Sequence, residues 1–169
     1  MLDTLDAVAP PRHGAKKDGR IYWEDCDLAR SLPHRFERIV RLYPHRLAVN
    51  TARRQLTYHE LNQAANRIAH AILTEHGTDN EPVAILIDEP SAMIAAIVGV
   101  LKAGKIYVPL DSANSEDAHR SILADCRPRC IVTNDETLTL VERVRSPNAG
   151  VINIDKLDES LATANLDLP

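Results

Sequence analysis

The amino-acid sequence predicts an α/β protein, a three-layer sandwich built around a mainly parallel sheet. Short apolar runs have the length of strands that are buried on both faces. Longer segments between them carry apolar residues at helical spacing. Strands that alternate with helices in this way are typical of parallel sheets with right-handed crossovers. The predicted sheet strands are residues 83–87, 106–108, 130–133 and 151–154.

The composition is that of a globular protein with one ordinary core. Of the 169 residues, 44% are hydrophobic and 26% are charged, and the net charge is −4. Surfaces that bind nucleic acid are usually strongly basic and carry aromatic side chains for stacking. Aromatic residues make up only 4% of this chain, so the composition disfavours nucleic acid as a partner.

The first ordered elements are a predicted helix and a two-stranded hairpin. The helix covers residues 31–43, with Pro33 in its first turn and Pro44 after its end. Residues 46–51 and 55–57 are predicted strands joined by a turn. The inward face of the helix is predicted to be Leu32, Phe36, Ile39, Val40 and Tyr43.

A capping box predicts the start of the second helix. Thr57 and Glu60 have the spacing that lets each side chain bond the other residue's backbone N–H. Gly77 is suited to end this helix. The predicted apolar stripe is Leu61, Ala65, Ile68 and Ile72.

The stretch from strand 83–87 to residue 111 predicts a strand, a buried helix and a second central strand. Asp88 is predicted to cap the helix and Pro90 to lie in its first turn. Residues 93–100 are apolar almost all round, which predicts a helix buried on every side. Gly104 ends the helix, Pro109 ends strand 106–108, and Asp111 is expected to organise the turn beyond.

The second half repeats the pattern. Helices are predicted at residues 116–126 and 136–145, before the strands at 130–133 and 151–154. The domain organisation predicted is a mobile leader at 1–30, the α/β domain at 31–155 and a tail at 156–169 without packing partners.

No catalytic, cofactor-binding or metal-binding residue is assigned. The six glycines are scattered, so no Gly-rich phosphate loop can be drawn through them. Neither a Gly-x-Ser-x-Gly elbow nor a His-Glu-x-x-His motif is present. The residues themselves therefore predict no phosphate-binding loop and no catalytic group.

Three weaker alternatives remain open. Asp88 and Asp111 both follow strand ends and could form an acidic site, although roles in a cap and a turn are favoured. A metal site at His59, His70 and His76 is disfavoured because their spacings share a helix face poorly. A metal site at the cysteines is the third alternative. Because they have no paired spacing, free thiols in a reducing cytosol are favoured over it for Cys26, Cys126 and Cys130.

Nothing in the sequence predicts export or a membrane anchor. The first residues lack the apolar core of a signal peptide. The longest apolar run, residues 92–101, is too short to cross a bilayer. A cytoplasmic location is therefore expected.

Two motifs make the sequence resemble a known family. They are LTYHEL at residues 56–61 and LKAGKIYVPLD at residues 101–111. With RIVRLYP before them and IVTN after them, they resemble the opening motifs of the adenylate-forming superfamily, most closely the adenylation domains of nonribosomal peptide synthetases. The resemblance covers roughly residues 31–155.

The resemblance implies ATP-dependent activation of an amino acid. A complete domain would form an acyl-adenylate with ATP and Mg²⁺ and pass the acyl group to the phosphopantetheine thiol of a carrier domain. In the family, the phosphate loop, the nucleotide and substrate pockets and the catalytic lysine follow later in the chain. This chain is thus expected to be an inactive N-terminal portion that binds no cofactor alone and self-associates through uncovered surfaces.

One departure from the family pattern keeps other interpretations open. After Asp111 the family usually shows Asp-Pro-x-x-Pro-x-x-Arg, whereas this sequence has Ser112, Ser115 and Ala118, with Arg120 two places on. The loss of two prolines makes the turn less rigid. The alternatives are part of a fatty-acyl-AMP or acyl-CoA ligase, and a non-catalytic α/β remnant or docking module.

Overall fold

The computed structural model describes residues 30–158 and 161–166. The predicted leader at residues 1–30 lies almost wholly outside the described residues. The elements of the first half are α1 (Leu32–Leu42), β1 (Leu47–Asn50), β2 (Gln55–Thr57), α2 (Tyr58–His76), β3 (Pro82–Leu86) and α3 (Pro90–Lys102). Those of the second half are β4 (Ile106–Leu110), α4 (Glu116–Cys126), β5 (Cys130–Thr133), α5 (Leu138–Val144), β6 (Gly150–Asn153) and a 3₁₀ turn (Ile154–Lys156).

Four strands form one parallel sheet in the order β4-β3-β5-β6. Residue Leu86 of β3 aligns with Leu110 of β4 and with Thr133 of β5, so three strands end at the same edge. Strands β1 and β2 form a separate antiparallel pair. The α/β class and the parallel sheet predicted from the sequence are confirmed.

Helices cover both faces of the sheet, which makes three layers. Alternate residues of each strand point to opposite faces. Val83 and Ile85 accordingly join the core under α2 and α3, whereas Ala84 and Leu86 join the core under α4 and α5. Tight packing joins α2 to α3, because a Cβ atom added at Gly99 would lie 2.9 Å from the backbone oxygen of Ala65.

The capping box at the start of α2 is confirmed. The Thr57 hydroxyl accepts from the backbone N–H of Glu60 at 3.2 Å. The Glu60 carboxylate accepts from the backbone N–H of Thr57 at 2.8 Å. The bonds that the Glu60 carboxylate accepts from the backbone N–H and the hydroxyl of Thr57 lower the pKa of Glu60, because they favour its charged form.

The predicted position of β4 at the centre of the sheet is wrong. Within the described residues β4 is an edge strand, and Ile106 and Tyr107 are exposed. Pro109 does not end the strand, which continues to Leu110. An edge strand tolerates proline because one side of it needs no backbone N–H for the ladder.

The cap and the burial predicted for α3 also need correction. Glu89, not Asp88, caps the helix, since its side chain accepts from the backbone N–H groups of Ser91 and Ala92. The helix is not buried on every side, because Ile94 is 38% exposed. An apolar composition does not fix which face a neighbouring element covers.

The last residues are not a tail without packing partners, so far as they are described. Leu157, Leu161 and Leu166 pack against the larger core. Asn165 bonds to side chains of α2, including Asn62 at 2.8 Å. The predicted inward face of α1 is likewise wrong at Leu32, which is 62% exposed.

Candidate functional site

The carboxyl edge of the sheet is the candidate site, because ligands of open parallel sheets usually bind there. The ends of β3 and β4 and the start of α3 line an open cavity of about 480 Å³. Asp88 and Asp111 both line it, so the fold brings these two sequence-predicted carboxylates to one cavity. Its other lining residues are apolar: Ile87, Pro90, Met93, Pro109 and Leu110.

A neighbouring cavity of about 320 Å³ extends this edge toward the hairpin. Asp88 and Pro90 line both cavities. Arg53 and Glu136 line the second one and form an ion pair of 3.1 Å across it. The edge therefore presents carboxylates that are open to solvent and one arginine that is already paired.

Glu89 is fixed as part of the framework between these cavities. Burial raises the pKa of its carboxyl, but hydrogen bonds from Ser91 and Ala92 outweigh that effect and leave the pKa below its ordinary value. The Glu89 carboxylate is consequently charged at neutral pH and committed to the N-terminus of α3.

Asp111 organises the turn after β4, as predicted. Its Oδ1 accepts from the backbone N–H of Ala113 at 3.0 Å, and its carbonyl oxygen lies 2.9 Å from Nε2 of His119. His119 is fully buried. The sequence does not predict this burial, since a histidine on a helix of mixed composition gives no signal of burial.

A buried hydroxyl network joins the ends of β3 and β5. The Thr137 hydroxyl donates to the carbonyl oxygen of Leu86 at 2.6 Å. It also lies 2.8 Å from the Thr133 hydroxyl and 2.7 Å from Oδ1 of Asn134. The polar residues of the IVTN stretch therefore fix the loop that leads into α5.

A second set of buried polar residues, the Lys102 cluster, joins three helices at the C-terminal end of α3, whereas the two cavities lie at its start. It consists of Lys102, Glu37, Asn62, Asn66 and Asn165. The Lys102 side chain is fully buried, and its ammonium lies 2.5 Å from Glu37 Oε1, 2.9 Å from Asn62 Oδ1 and 2.7 Å from Asn66 Oδ1. Burial lowers the pKa of Lys102, and the hydrogen bond to Glu37 opposes this.

The Lys102 cluster was not found from the sequence. Its other members, Glu37, Asn62, Asn66 and Asn165, lie 65, 40, 36 and 63 positions from Lys102 along the chain. One signal was available, because Asn62 and Asn66 are four residues apart and therefore share a helix face. The cluster positions helices and touches neither cavity of the carboxyl edge.

The remaining candidates of the sequence analysis are dispersed. His70 Nε2 lies 3.3 Å from the carbonyl oxygen of Ala164, and the His76 ring packs against Gly150. Among residues 30–158 and 161–166, no group of three or more His, Cys, Asp or Glu side chains is placed to hold a metal ion.

The two described cysteines are free thiols. Cys130 is buried, and burial raises its pKa to about 12. Burial also raises the pKa of Cys126. Cys26 lies outside the described residues. None of the helices in the described part is long and apolar enough to span a bilayer.

The fold and its motifs define the class of protein. LTYHEL leads from β2 into α2, and LKAGKIYVPLD leads from α3 into β4. A parallel sheet with an open carboxyl edge and these two motifs matches the opening part of an adenylate-forming domain. The chain belongs to the family of AMP-binding enzymes, whose model matches residues 36–167.

Relatives place the chain more finely within that family. It is 31% identical over 164 residues to a dimodular nonribosomal peptide synthase of Bacillus subtilis, covering 96% of this chain and 7% of the relative. It is 31% identical over 140 residues to tyrocidine synthase 1 of Brevibacillus parabrevis, covering 83% and 13%. The chain therefore spans only a small part of these relatives.

Solved structures agree. A crystal structure of the nonribosomal peptide synthetase FmoA3 with α-methyl-L-serine-AMP matches with a TM-score of 0.75 and 25% identity, covering 82% of this chain and 15% of that one. The N-terminal subdomain of NpsA from Klebsiella oxytoca matches with a TM-score of 0.69 and 22% identity, covering 82% and 35%. The chain corresponds to the N-terminal region of such adenylation domains, and the second likeness supports the fold.

Proposed function

We propose that this chain is the opening part of an amino-acid-adenylating domain in a nonribosomal peptide synthetase. The complete domain would join a carboxylic acid to ATP, release pyrophosphate and transfer the acyl group to a phosphopantetheine thiol. The observation that carries the proposal is the pair of motifs at residues 56–61 and 101–111 in a chain whose relatives are peptide synthetases.

The residues of this chain do not by themselves fit a nucleotide site. The loops at the carboxyl edge hold scattered carboxylates and hydroxyls, and the sequence offers no cluster of glycines whose N–H groups could converge on a phosphate. ATP and Mg²⁺ would therefore be held by residues from the rest of the domain. This chain would contribute the rigid sheet edge that supports the ATP site.

The partners follow from the same proposal. They are the remainder of the adenylation domain and a carrier domain, as in the artificially fused adenylation-carrier protein NpsA-ThdA. ATP as the nucleotide of the complete domain is supported by a matching structure of FmoA3 with AMPPNP bound, which has a TM-score of 0.73 and 26% identity. A cytoplasmic location and a domain boundary near residue 31 belong to the proposal too.

The first test is the intact mass of the polypeptide in extracts of its own source. A species much larger than 18.7 kDa is expected, and this species should catalyse amino-acid-dependent ATP–pyrophosphate exchange. The 169-residue chain alone should show no saturable ATP binding in calorimetry. Micromolar affinity of the short chain for ATP would contradict this division of labour.

The panel of acids in the exchange assay tests the substrate class. Exchange driven by one amino acid, with fatty and aryl acids inactive, is expected. Exchange driven only by fatty acids would assign the chain to an acyl ligase instead. A natural species of 18.7 kDa that co-purifies with no second polypeptide would refute the enzyme proposal.

A further inference from the structure

A third cavity, of about 250 Å³, lies between β2, α2, the start of α3 and the 3₁₀ turn. Its walls mix polar and apolar groups: Leu56, Ile68 and Ile154 lie beside the small side chains of α3, and Ser91 and Asp155 add polar groups. Two arginines, Arg54 and Arg67, also line it. Small-molecule sites combine apolar side chains with polar groups that fix the ligand's orientation, and this volume fits only a small ligand.

The two arginines have hydrogen-bonding capacity to spare. Within residues 30–158 and 161–166, neither guanidinium group forms an ion pair or a side-chain hydrogen bond with another residue. Each guanidinium carries five N–H donors in a planar fork that matches an oxyanion. By contrast, the adjacent Arg53 is paired with Glu136 at 3.1 Å.

The nearby carboxylates are already occupied by other donors. Asp155, which lines the cavity, accepts from the backbone N–H of Asp135 at 2.9 Å. Glu89 and Glu60 interact with Arg54 only at longer range, and each caps a helix. The cavity lining therefore holds two arginines against one carboxylate.

We propose that this cavity binds the carboxylate group of a small organic acid. The two guanidinium groups would hold the carboxylate, and the short apolar body of the acid would contact Leu56 and Ile68. Charge-assisted bonds from an arginine fork are stronger than neutral hydrogen bonds. The apolar part of the lining, which includes Leu56 and Ile68, could contact a hydrocarbon chain, whereas inorganic phosphate has no apolar surface for that contact.

This inference does not depend on the proposed adenylation activity. The cavity can be probed by a ligand alone, and binding can be measured without ATP or turnover. A negative result in the exchange assay would leave it untouched.

The test is a titration of the ¹⁵N-labelled 169-residue chain with sodium butyrate, followed by amide chemical shifts at constant ionic strength. Saturable shifts are expected at residues 54, 67, 92 and 155, with a dissociation constant in the range of about 1–10 mM. Sodium acetate should bind more weakly because it has less apolar surface, and sodium phosphate should bind more weakly still.

Two variants and a matched control assign the binding to the cavity. Arg67→Gln and Arg54→Gln should each raise the dissociation constant by about tenfold, since each removes a charge-assisted bond. Arg54 is exposed and is expected to tolerate the change without unfolding. Arg53→Gln removes the same charge next to Arg54 and should leave the constant within about twofold, because its group lies outside this cavity.

Three outcomes would overturn the proposal. Equal weakening by Arg53→Gln and Arg54→Gln would mean that net charge, not the cavity, attracts the anion. Phosphate binding as tightly as butyrate would refute the organic-acid class. Shifts that sodium chloride reproduces at the same concentration would show that no specific site exists.

Discussion

Replacement of Lys102 by methionine tests whether the Lys102 cluster holds the helices together. Methionine keeps most of the apolar length of lysine and removes only the charge and its donors. Glu37, 6% exposed, would then be a buried carboxylate without its ion-pair partner. Removal of one partner from a buried pair costs about 3–5 kcal/mol.

The amide oxygens of the cluster raise this cost further. Asn62 and Asn66 donate through their Nδ2 atoms to Asn165 Oδ1, at 2.8 and 3.0 Å. Neither amide can turn to find a new partner without losing that bond. Each buried acceptor left unsatisfied costs about 1–3 kcal/mol, so the loss should approach the roughly 5–15 kcal/mol that stabilises a typical domain.

The assay is urea unfolding of the 169-residue chain at pH 7, followed by far-UV circular dichroism. Lys102→Met should lower the midpoint strongly at an unchanged slope. Asn165→Ala is a milder variant for the case in which the lysine variant fails to fold, with an expected cost of about 1–3 kcal/mol. The matched control is Lys156→Met, which removes an exposed ion pair and should change stability by less than about 0.5 kcal/mol.

A double-mutant cycle with Glu37→Gln separates the pair from its surroundings. The double variant should be more stable than the sum of the two single losses predicts, by about 1–3 kcal/mol, because the partners are in direct contact. An additive cycle, or a cost of Lys102→Met below about 1 kcal/mol, would refute the reasoning.

The lowered pKa of Lys102 adds a pH dependence with a defined sign. The unfolded chain, with an ordinary lysine pKa of 10.5, binds more protons than the folded chain between the folded pKa and 10.5. Stability contributed by this group therefore rises as pH increases through that window. Lys102→Met should lack this rise when its unfolding is compared with that of the wild type; the same alkaline slope in both would contradict the shift.

Three further predictions use local features. Gly99→Val should cost about 1–3 kcal/mol in urea unfolding, because the new side chain meets Ile68 at 2.9 Å; an unchanged midpoint would contradict the close approach. Thr57→Ala should cost about 1 kcal/mol in the same assay through loss of the cap. Thr74, an exposed threonine inside α2, is the control, and an equal loss in Thr74→Ala would count against the capping box. Cys130 should react with Ellman's reagent only after unfolding, because it is buried with a pKa of about 12; rapid native labelling would exclude that burial.

Local features of the fold were predictable because their causes are local. The capping box depends on two residues three positions apart, and Gly77 and Pro90 mark helix ends through their own backbone preferences. The strand at Cys130–Thr133 was found from its apolar run and its length. The signal for each of these features lies within a few neighbouring residues of the sequence.

The order of strands could not be predicted in the same way. The motif strand β4 reads as central because it is apolar, yet it lies at an edge of the described sheet with Ile106 52% exposed. Apolar sequence indicates that a strand can be buried, while the element that covers it is decided elsewhere in the fold. Pro109 was the informative residue, since proline is tolerated on an edge strand.

The candidate site was predicted only in outline for a related reason. The rule that ligands bind beyond the carboxyl ends of parallel strands directed attention to Asp88 and Asp111, and both line one cavity at that edge. It gave no information on His119 or on Arg54 and Arg67, because a cavity wall is assembled from distant segments. Lone polar residues on helices are usually solvated, and sequence alone gives no reason to treat these differently.

In the stretch LKAGKIYVPLD, four positions have clear structural roles. Lys102 ties three helices together inside the protein, and Gly104 adopts a φ of +69°, which glycine accepts without strain. Pro109 suits an edge strand, and Asp111 closes the following turn. Each of these four positions therefore has a structural cause within residues 30–158 and 161–166, and the proposal that the motif holds the sheet edge for a site built by the rest of the domain agrees with those contacts.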